Sequence, residues 1–384
     1  MNKTERLFDK NSKMCTFEAR VLSCEKLDEE KYAVILDSTA FFPNEGGQSC
    51  DTGGIGDAEV LSVDEKDGII VHTVNKPLEA GAIVRGEIDF EIRFRKMQNH
   101  TAEHIVSGII NRFFGYSNVG FHLGEGYMTA DFDGELSPED ISHIETLANR
   151  AVFECRPIRA HYPTSDELKT LEYRSKLDFY ENVRIVEIEG VDKCACCAPH
   201  VENTGEVGLV KIVDAIRYKG GMRLTMLAGY DALSDYRARQ EQSKRISMAI
   251  SAKQSEVAEG VDRLLDEMNA LKGRISALKK EILSYKLEKL EETDGNTVIF
   301  EEDGDMLALR NFVNEAVKKT GGICACFSGS DGSGYKYIIA SENIPLRALS
   351  KEMNASLGAK GGGSDAMIQG SCSATREEIE RFFR

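Results

Sequence analysis

Two short segments, far apart in the sequence, place the strongest constraint on how this chain folds. The first contains His100 and His104, and the second contains Cys196 and His200. If the first segment is helical, residues four apart share one face, so both imidazoles can bind one ion. The second segment adds a thiolate and a third imidazole, and such a set suits zinc better than calcium or magnesium. The fold must therefore bring the two segments together.

Each half of this pattern also has a simpler explanation. Two histidines four apart on a helix are more often partly exposed or hydrogen-bonded than metal-bound, and Cys194 or Cys197 can replace Cys196 as the thiolate. The pattern is not that of a zincin, in which a glutamate directly follows the first histidine. Because Glu103 directly precedes the second histidine, we interpret it as an exposed helix carboxylate.

Length and composition narrow the class of protein. A chain of 384 residues exceeds one typical core, so two or three domains are expected. It has no apolar run of about eighteen residues and no apolar signal at its N-terminus, which predicts a soluble cytoplasmic protein without a membrane partner. Ten cysteines without regular spacing outside residues 194–197 indicate reduced thiols and one metal cluster.

The charge excludes one mode of nucleic-acid binding. A net charge of −16 argues against nonspecific coating, because that affinity comes from neutralising phosphates. Two local basic stretches, residues 93–96 and 217–223, flank the metal-type segments and favour a polyanion contact, although short basic runs are often only solvated faces. The basic residues predicted to contact nucleic acid are Arg93, Arg95, Lys96, Lys219 and Arg223.

The succession of elements predicts an α+β multidomain protein with four parts. Residues 1–90 form a small β-barrel with a glycine-rich loop, and residues 91–232 form an α/β domain with two helices over an antiparallel sheet. Residues 233–292 form a long helix, in which apolar residues from Val257 to Tyr285 alternate spacings of four and three. This arm of roughly 80 Å pairs with another chain, or with itself through a bend near Gly260 or Gly273. Residues 293–384 form a further α/β domain.

Two glycine-rich segments have both a structural and a functional interpretation. Residues 41–53 form either a hairpin turn or a loop whose backbone approaches a ligand closely. Residues 358–371 contain a glycine run that can cradle phosphate with backbone N–H groups. The second segment fits neither the dinucleotide fingerprint nor the phosphate-loop signature.

In this order and with this separation, the two metal-type segments resemble the editing domain that alanyl- and threonyl-tRNA synthetases share. The glycine-rich residues 42–53 narrow the resemblance to the free-standing alanyl-tRNA editing proteins. Residues 131–133, 201–208 and 223–229 support it. The terminal glycines, with Asp365 and Gln369, resemble the DHHA1 domain that ends alanyl-tRNA synthetases. With the long helix between, the order resembles the long form of these editing proteins (AlaX-L).

The resemblance implies a function and a set of site residues. His100, His104, Cys196 and His200 become the ligands of one zinc ion, and the reaction becomes hydrolysis of the ester that joins serine, and in some cases glycine, to alanine tRNA. The residues bordering the amino acid pocket are Gly46, Gly47 and Gln48, and those proposed as catalytic are Thr101 and Gln48, through a hydrogen bond to the serine hydroxyl. The DHHA1 domain holds the tRNA body or a partner chain through Gly361, Gly362 and Gly363. The long helix or this domain offers a surface for a homodimer.

The chain also departs from the family pattern. The usual Cys-Gly-Gly-Thr-His is here replaced by the sequence of residues 196–200, which retains both ligand positions, and Ser364 stands where the family often has arginine. Since no segment ahead of Phe17 is long enough for an aminoacylation domain, the chain is expected to correct but not to charge tRNA.

A metal at this site has several possible roles. Zinc can activate water, polarise the ester carbonyl or anchor the substrate. Four protein ligands are, however, typical of a closed structural site. A non-catalytic tRNA-binding or assembly protein with a structural zinc, and a zinc hydrolase acting on a small ester or amide, are therefore alternatives.

Overall fold

The protein was analysed as a computed structural model that describes residues 3–28, 30–175 and 183–384. It divides into two compact units, Met1–Gln242 and Ser243–Arg384. Helices and several separate sheets occur along the chain, so the predicted mixed α+β, multidomain architecture is confirmed. The finer division at residues 90, 232 and 292 stays a prediction.

The first part of the chain is mainly β-structure. Six of its strands close a barrel in the order β2-β3-β7-β6-β5-β8. The elements are β1 (Glu5–Arg6), α1 (Leu7–Lys10), β2 (Thr16–Lys26), β3 (Tyr32–Leu36), β4 (Ser38–Thr39), β5 (Gly53–Ile55), β6 (Ala58–Lys66), β7 (Ile69–Val74) and β8 (Ile83–Ile88).

Alternation of side chains explains why this sequence closes into a barrel. In β2, Phe17, Ala19 and Val21 are buried while the residues between them are exposed, the period of two that strands require. The barrel core also contains Phe41 and Phe42, which precede the glycine-rich loop. This anchors the start of the loop inside the barrel.

The middle of the chain adds helices to two antiparallel sheets. One sheet has the order β14-β15-β10-β9, and the other has the order β11-β12-β13. The elements are α2 (Phe90–Phe114), β9 (Asn118–Leu123), β10 (Met128–Phe132), α3 (Pro138–Phe153), β11 (Ile158–His161), α4 (Ser165–Leu168), β12 (Ile185–Ile188), β13 (Asp192–Ala195), β14 (Val210–Tyr218) and β15 (Gly221–Ala228).

The helix ends follow local signals in the sequence. α2 ends at Gly115, whose φ of 72° is the left-handed conformation that glycine adopts most easily. α3 starts with a capping box between Ser137 and Asp140, with Pro138 in its first turn. α2 begins at Phe90, and its apolar side chains join those of α3 and the four-stranded sheet in one core.

The last part of the chain contains two long helices and a five-stranded sheet. The sheet has the order β16-β17-β18-β20-β19, with β16 and β17 parallel and the other pairs antiparallel. The elements are α5 (Gly229–Ala249), α6 (Val257–Lys289), β16 (Thr297–Glu301), α7 (Met306–Ala316), β17 (Cys324–Ser330), β18 (Gly334–Ala340), α8 (Leu346–Ser356), β19 (Lys360–Gly363), β20 (Met367–Cys372) and α9 (Arg376–Phe383).

The single long helix that the heptad pattern predicted is interrupted. The chain leaves the helical path after Ala249, and Ser251 has a φ of 53°. A Cβ atom on Gly260 would lie 2.6 Å from the Cδ1 atom of Ile250, so the glycine permits this close turn. The uninterrupted helix α6 has 33 residues and is about 50 Å long rather than 80 Å. Within the described residues, no helix is both long and apolar enough to cross a membrane.

Candidate metal centre

The two metal-type segments meet at one point of the first unit. His100 and His104 lie on successive turns of α2, and Cys196 and His200 lie in the loop that follows β13. One ligand atom from each of the four residues lies within 4.8 Å of the other three. All three histidines are buried, and Cys196 is half-buried. The predicted association of the four side chains is therefore present.

The distances fit a tetrahedral ion. The Sγ atom of Cys196 lies 3.6 Å from Nε2 of His100 and 3.4 Å from Nε2 of His200. A tetrahedral zinc ion, with bonds of about 2.3 Å to sulfur and about 2.0 Å to nitrogen, separates these atoms by about 3.5 Å. The spacing and the chemistry of the donors thus both suit zinc.

A second layer of side chains fixes how each imidazole is turned. The Nδ1 atom of His100 lies 2.9 Å from Oε1 of Gln48, and that of His200 lies 3.0 Å from the hydroxyl of Thr101. The Nδ1 atom of His104 lies 3.0 Å from Oδ2 of Asp192. Each Nδ1–H group can donate to its oxygen, which leaves each Nε2 atom as the metal-binding atom.

Gln48 and Thr101 were predicted to contact the substrate, but the structure places both side chains behind the histidines. Both side chains are buried against histidines, and neither lines the cavity of about 740 Å³ that opens beside the four-residue cluster. Their positions support a role in orienting His100 and His200 rather than a direct contact with the substrate.

Burial also sets the protonation of the ligand groups. It lowers the pKa of His200 well below the ordinary value, with further lowering by the two neighbouring imidazoles, so the ring is neutral and able to bind a metal. Burial raises the pKa of the Cys196 thiol well above its ordinary value. The thiolate is thus stabilised only when a cation arrives, which couples metal binding to proton release.

Asp192 completes the arrangement from the far side of His104. Burial by itself would raise the pKa of Asp192, but hydrogen bonds from Arg174 and His104 outweigh it and lower the pKa to about 2. Arg174 donates from Nε and Nη2 at 2.7 and 2.8 Å. The sequence analysis missed Asp192, although an acidic residue close to a Cys/His segment is a usual partner for a ligand histidine.

The other cysteines of the loop occupy different positions. Cys194 lies with His104 and Asp192 in a second group of possible ligand atoms, but both Asp192 oxygens already accept hydrogen bonds there. The Cys197 sulfur lies 3.4 Å from where a Cβ atom of Gly46 would be. This arrangement favours Cys196 as the thiolate of the four-residue cluster.

A cavity of about 740 Å³ opens beside the cluster. The loop residue Gly46 lines it, whereas Gly47 and Gln48 are not among its lining residues. Gly47 has a φ of 82°, and a Cβ atom there would lie 2.6 Å from the backbone oxygen of Phe121. Of the three predicted pocket residues, only Gly46 therefore presents its backbone to the cavity.

The interpretation of Glu103 as an exposed carboxylate was wrong. Its side chain is only 4% exposed and lines the cavity beside His100 and His104. The error has a physical cause, because α2 is buried on every face from Met97 to Ile110 and no side of it meets solvent there. Glu103 points about 100° away from His104 around the helix axis, but that direction also leads into the protein.

The prediction of Arg93 as a nucleic-acid contact was also wrong. Arg93 is fully buried, forms an ion pair with Asp51, and donates to the backbone oxygen of Ala40 at 2.7 Å. Its neighbour Lys96 is half-buried and donates to the backbone oxygens of Ser49 and Cys50 at 3.2 and 2.5 Å. Both residues therefore fasten α2 to the glycine-rich loop.

The other predicted nucleic-acid contacts retain some exposure. Lys219 is exposed in the turn between β14 and β15, and Arg95 lies 3.6 Å from Asp231. Arg223 pairs with Asp131 through two hydrogen bonds and lies over the Tyr218 ring at 3.8 Å. Contacts of these residues with tRNA stay predictions.

The terminal glycines form the edge strand β19 of the five-stranded sheet. A Cβ atom on Gly361 would overlap the Tyr337 hydroxyl and the Gln369 backbone oxygen, whereas one on Gly362 would meet open space. Gly363 is confined by the backbone of Met367. Packing alone thus explains Gly361 and Gly363.

Comparison with known proteins agrees with this site. The model of the threonyl and alanyl tRNA synthetase second additional domain matches residues 183–264, which include Cys196 and His200. The model of class II (A) tRNA synthetases matches residues 5–92. The matched segments are therefore similar to domains of class II tRNA synthetases, including the additional domain that threonyl and alanyl tRNA synthetases share.

The similarity to individual proteins is more specific. The chain is 28% identical to the alanyl-tRNA editing protein AlaX-L of Pyrococcus horikoshii, over 98% of this chain and 96% of that protein. It is 29% identical to the alanine–tRNA ligase of Methanococcus vannielii and 30% identical to that of Pyrococcus abyssi. Each match covers 98% of this chain but 43% of the ligase, so the chain spans less than half of those relatives. The near-full-length similarity to an alanyl-tRNA editing protein agrees with the resemblance that the motifs predicted.

One solved structure, RecJ of Thermus thermophilus in complex with Mg²⁺, matches 36% of this chain and 26% of that chain, with a TM-score of 0.24 and 13% identity. This similarity is too low to support an inference about the fold.

Proposed function

We propose that this protein hydrolyses the ester of mischarged alanine tRNA, releasing serine and also glycine, with one zinc ion bound at the candidate metal centre. The observation that carries the proposal is the convergence of three imidazoles and one thiol at one point, where His100, His104 and Cys196 line a cavity of about 740 Å³. The near-full-length similarity to an alanyl-tRNA editing protein supports the choice of substrate.

Separate residues would bind the metal and orient its ligands. His100, His104, Cys196 and His200 would bind zinc, while Gln48, Thr101 and Asp192 hold the Nδ1–H groups and fix the rings. When bound, zinc supplies Lewis-acid chemistry for the attack of water on an ester. Because aminoacyl esters are already activated, the protein mainly has to hold the ester in the orientation in which water can attack its carbonyl carbon.

The cavity offers a physical basis for sparing correctly charged tRNA. A pocket that hydrogen-bonds the serine hydroxyl leaves its own buried polar groups unpaired when alanine enters. Gly46 lines the cavity and has no side chain, so a substrate can approach the backbone of the loop closely. Selection then depends on unpaired groups rather than on size.

Binding of the tRNA body is assigned to the basic residues and to the C-terminal domain. Lys219, Arg223 and Arg95 are the accessible cations of the predicted set, and they would contact phosphates. The C-terminal α/β domain is proposed to be of the DHHA1 type, with Gly362 as the glycine of β19 that is open to a ligand.

The function is tested with purified zinc-loaded protein and with serine or alanine esterified to alanine tRNA. Rapid release of serine, slow release of alanine, and loss of both with His104→Ala are expected. His122→Ala, an exposed histidine on β9, serves as the matched control and should retain activity. Serine release that survives His104→Ala would contradict the metal-dependent mechanism.

The same experiment separates the alternative functions. Tight tRNA binding without release of either amino acid would favour a tRNA-binding protein with a structural zinc. Zinc-dependent hydrolysis of small esters or amides that is independent of tRNA would favour the small-substrate hydrolase.

We propose further that α6 pairs with α6 of a second copy of this chain. Eight side chains at alternating spacings of three and four are between 36% and 60% exposed. Of these, the first heptad position holds Val261, Met268, Ile275 and Ile282, and the fourth holds Leu264, Leu271, Leu278 and Tyr285. Mostly β-branched residues at the first position and leucine at the fourth favour parallel two-stranded coiled coils.

Charges beside this seam also favour a parallel pair. In parallel register Glu267 lies opposite Lys272 of the other copy, and Glu281 lies opposite Lys286, while Arg274 meets Lys279 unfavourably. An antiparallel pair would instead align the lysines with one another. Lys279 and Lys286 also contact Asp303 and Glu301 of their own chain at 2.6 Å, so these pairs are shared.

Light scattering and cysteine cross-linking test this assembly. Leu271→Cys should form an interchain disulfide in a dimer, whereas Asn269→Cys, one residue past the first heptad position, should not. A monomer at micromolar concentration, or equal cross-linking of both variants, would contradict the proposal.

A further inference from the structure

The Glu103 carboxylate is buried, and neither metal binding nor histidine orientation in the proposed reaction involves it. Glu103 lies on α2 directly before His104 and lines the same cavity as His100, His104 and Cys196. It does not belong to the group of four mutually close ligand atoms. A buried carboxylate is costly unless it is hydrogen-bonded or faces a cation, so its position beside the cluster requires an explanation.

Among the described residues, hydrogen bonds fix one of the two oxygen atoms of this carboxylate. The Oε1 atom accepts hydrogen bonds from the Ser107 hydroxyl and the Asn118 amide. The Oε2 atom lies 3.9 Å from Nε2 of His104, beyond hydrogen-bond distance, on the side of the metal-binding atoms. Ser107 and Asn118 thus orient the group so that Oε2 faces the cluster and the cavity.

One cation that acts on Glu103 is already engaged in another ion pair. Arg174 lines the cavity and interacts electrostatically with Glu103, but its Nε and Nη2 atoms donate to Asp192. The Arg174–Asp192 pair is approximately neutral as a unit, so Arg174 compensates the negative charge of Glu103 only in part. A ligand that enters this cavity with a positive charge would complete the compensation.

An aminoacyl ester brings such a charge, since its α-ammonium group is bonded to the carbon next to the carbonyl. A zinc ion held by one thiolate and three neutral imidazoles would carry net positive charge, which by itself would disfavour a nearby ammonium group. A carboxylate between the two sites would offset that repulsion and accept a charge-assisted hydrogen bond.

We propose that Glu103 binds the α-ammonium group of the aminoacyl ester and so selects aminoacyl esters over other acyl esters. The inference rests on the proposed function and adds the recognition of the amino group to it. Glu103 is then a specificity-determining residue that binds substrate at Oε2 while Ser107 and Asn118 hold Oε1.

The substitution Glu103→Gln tests this with little change of shape. The amide oxygen of glutamine can still accept from Ser107 and Asn118, but the negative charge is lost. Seryl-tRNA and N-acetylseryl-tRNA are compared as substrates, each corrected for its spontaneous hydrolysis. Intact protein should prefer the free amine, and Glu103→Gln should reduce kcat/KM for seryl-tRNA by about 10- to 100-fold while leaving N-acetylseryl-tRNA unchanged.

Three further measurements separate binding of the amine from other roles. Zinc content per chain should be the same in Glu103→Gln and in the control Glu125→Gln, which alters an exposed carboxylate between β9 and β10. Calorimetry with seryladenosine linked by a stable amide, and with its deaminated analogue, should show an affinity difference that Glu103→Gln removes. Glycyl-tRNA should lose as much activity as seryl-tRNA, because both carry the ammonium group.

Several results would overturn the inference. Equal loss with the free and the acetylated substrate, or loss of zinc, would make Glu103 a structural group. A loss confined to serine would mean that Glu103 binds the hydroxyl instead. If the intact protein hydrolyses neither ester, the proposed function fails by itself, and the calorimetric comparison still reports whether Glu103 recognises the amine.

Discussion

The Oδ2 atom of Asp192 lies 3.0 Å from Nδ1 of His104, and it joins β13 to α2 directly behind the candidate metal centre. The two residues are 88 positions apart in the sequence. This hydrogen bond turns the Nε2 atom of His104 towards the other ligands, and Arg174 holds Asp192 in place. In the candidate metal centre, the four possible ligands are therefore held in place by further side chains behind them.

The first prediction concerns this outer shell. Asp192→Asn should weaken zinc affinity by about 10- to 100-fold, because the ligand histidine loses its charged acceptor. Competition with a chelating dye measures the affinity. Glu187→Gln on β12, whose partner is Lys193 at 3.2 Å, is the control and should bind zinc normally. Unchanged zinc affinity in Asp192→Asn would show that the carboxylate does not support the site.

A second prediction concerns Arg93. Arg93→Met should destabilise the protein by about 3–5 kcal/mol, because Asp51 is left as a buried, unpaired charge. Urea unfolding measures the loss, and Arg93→Met/Asp51→Leu should recover part of it. Arg95→Met, which removes a partly exposed arginine, should cost little stability but lower tRNA affinity. Normal stability of Arg93→Met would contradict the assigned structural role.

The barrel core provides a third prediction, on pH dependence. His72 is fully buried, its Nε2 atom lies 2.9 Å from the Thr39 hydroxyl, and burial lowers its pKa from 6.5 to about 4. At pH values between about 4 and 6.5, His72 binds a proton in the unfolded chain but not in the folded chain. The free energy of unfolding should therefore fall as the pH is lowered from 6.5 to 4, by about 3 kcal/mol in total from this residue.

Urea unfolding at a series of pH values checks this dependence. His72→Gln should lower stability at neutral pH but should flatten the decline between pH 6.5 and 4, since glutamine does not titrate. An equally steep decline in the variant would assign the pH dependence to other groups.

The glycines of β19 offer a fourth prediction with a built-in control. Gly361→Ala should destabilise the C-terminal unit by about 1–3 kcal/mol, because the methyl group overlaps the Tyr337 hydroxyl and the neighbouring strand. Gly362→Ala should be tolerated, since its methyl group meets no atom within 4 Å. Thermal unfolding of both variants distinguishes them, and similar melting temperatures would contradict the packing explanation.

Much of the local structure was predictable because it depends on neighbouring residues. The Ser137–Asp140 capping box, the stop at Gly115 and the alternation in β2 follow from helix capping and side-chain periodicity. The long helix was overestimated because a heptad pattern does not register a turn such as that at Ser251.

The candidate site was predictable in its ligands but not in its surroundings. Histidine and cysteine types with the right spacing indicate zinc without knowledge of the fold, whereas the partners Gln48, Thr101 and Asp192 depend on which side chains the fold brings together. Arg93 and Glu103 were misplaced because charged residues are normally exposed, and that expectation fails inside a helix surrounded by protein.

The amino-acid sequence by itself therefore determined the candidate ligand set, the heptad seam of α6 and the order of helices and strands, since each depends on spacing along the chain. Only the tertiary structure decided that Glu103 faces the cavity, that Arg93 is buried against Asp51, and that Asp192 supports His104. The physical reason is that the surroundings of a side chain are set by the packing of distant segments, which no local periodicity encodes.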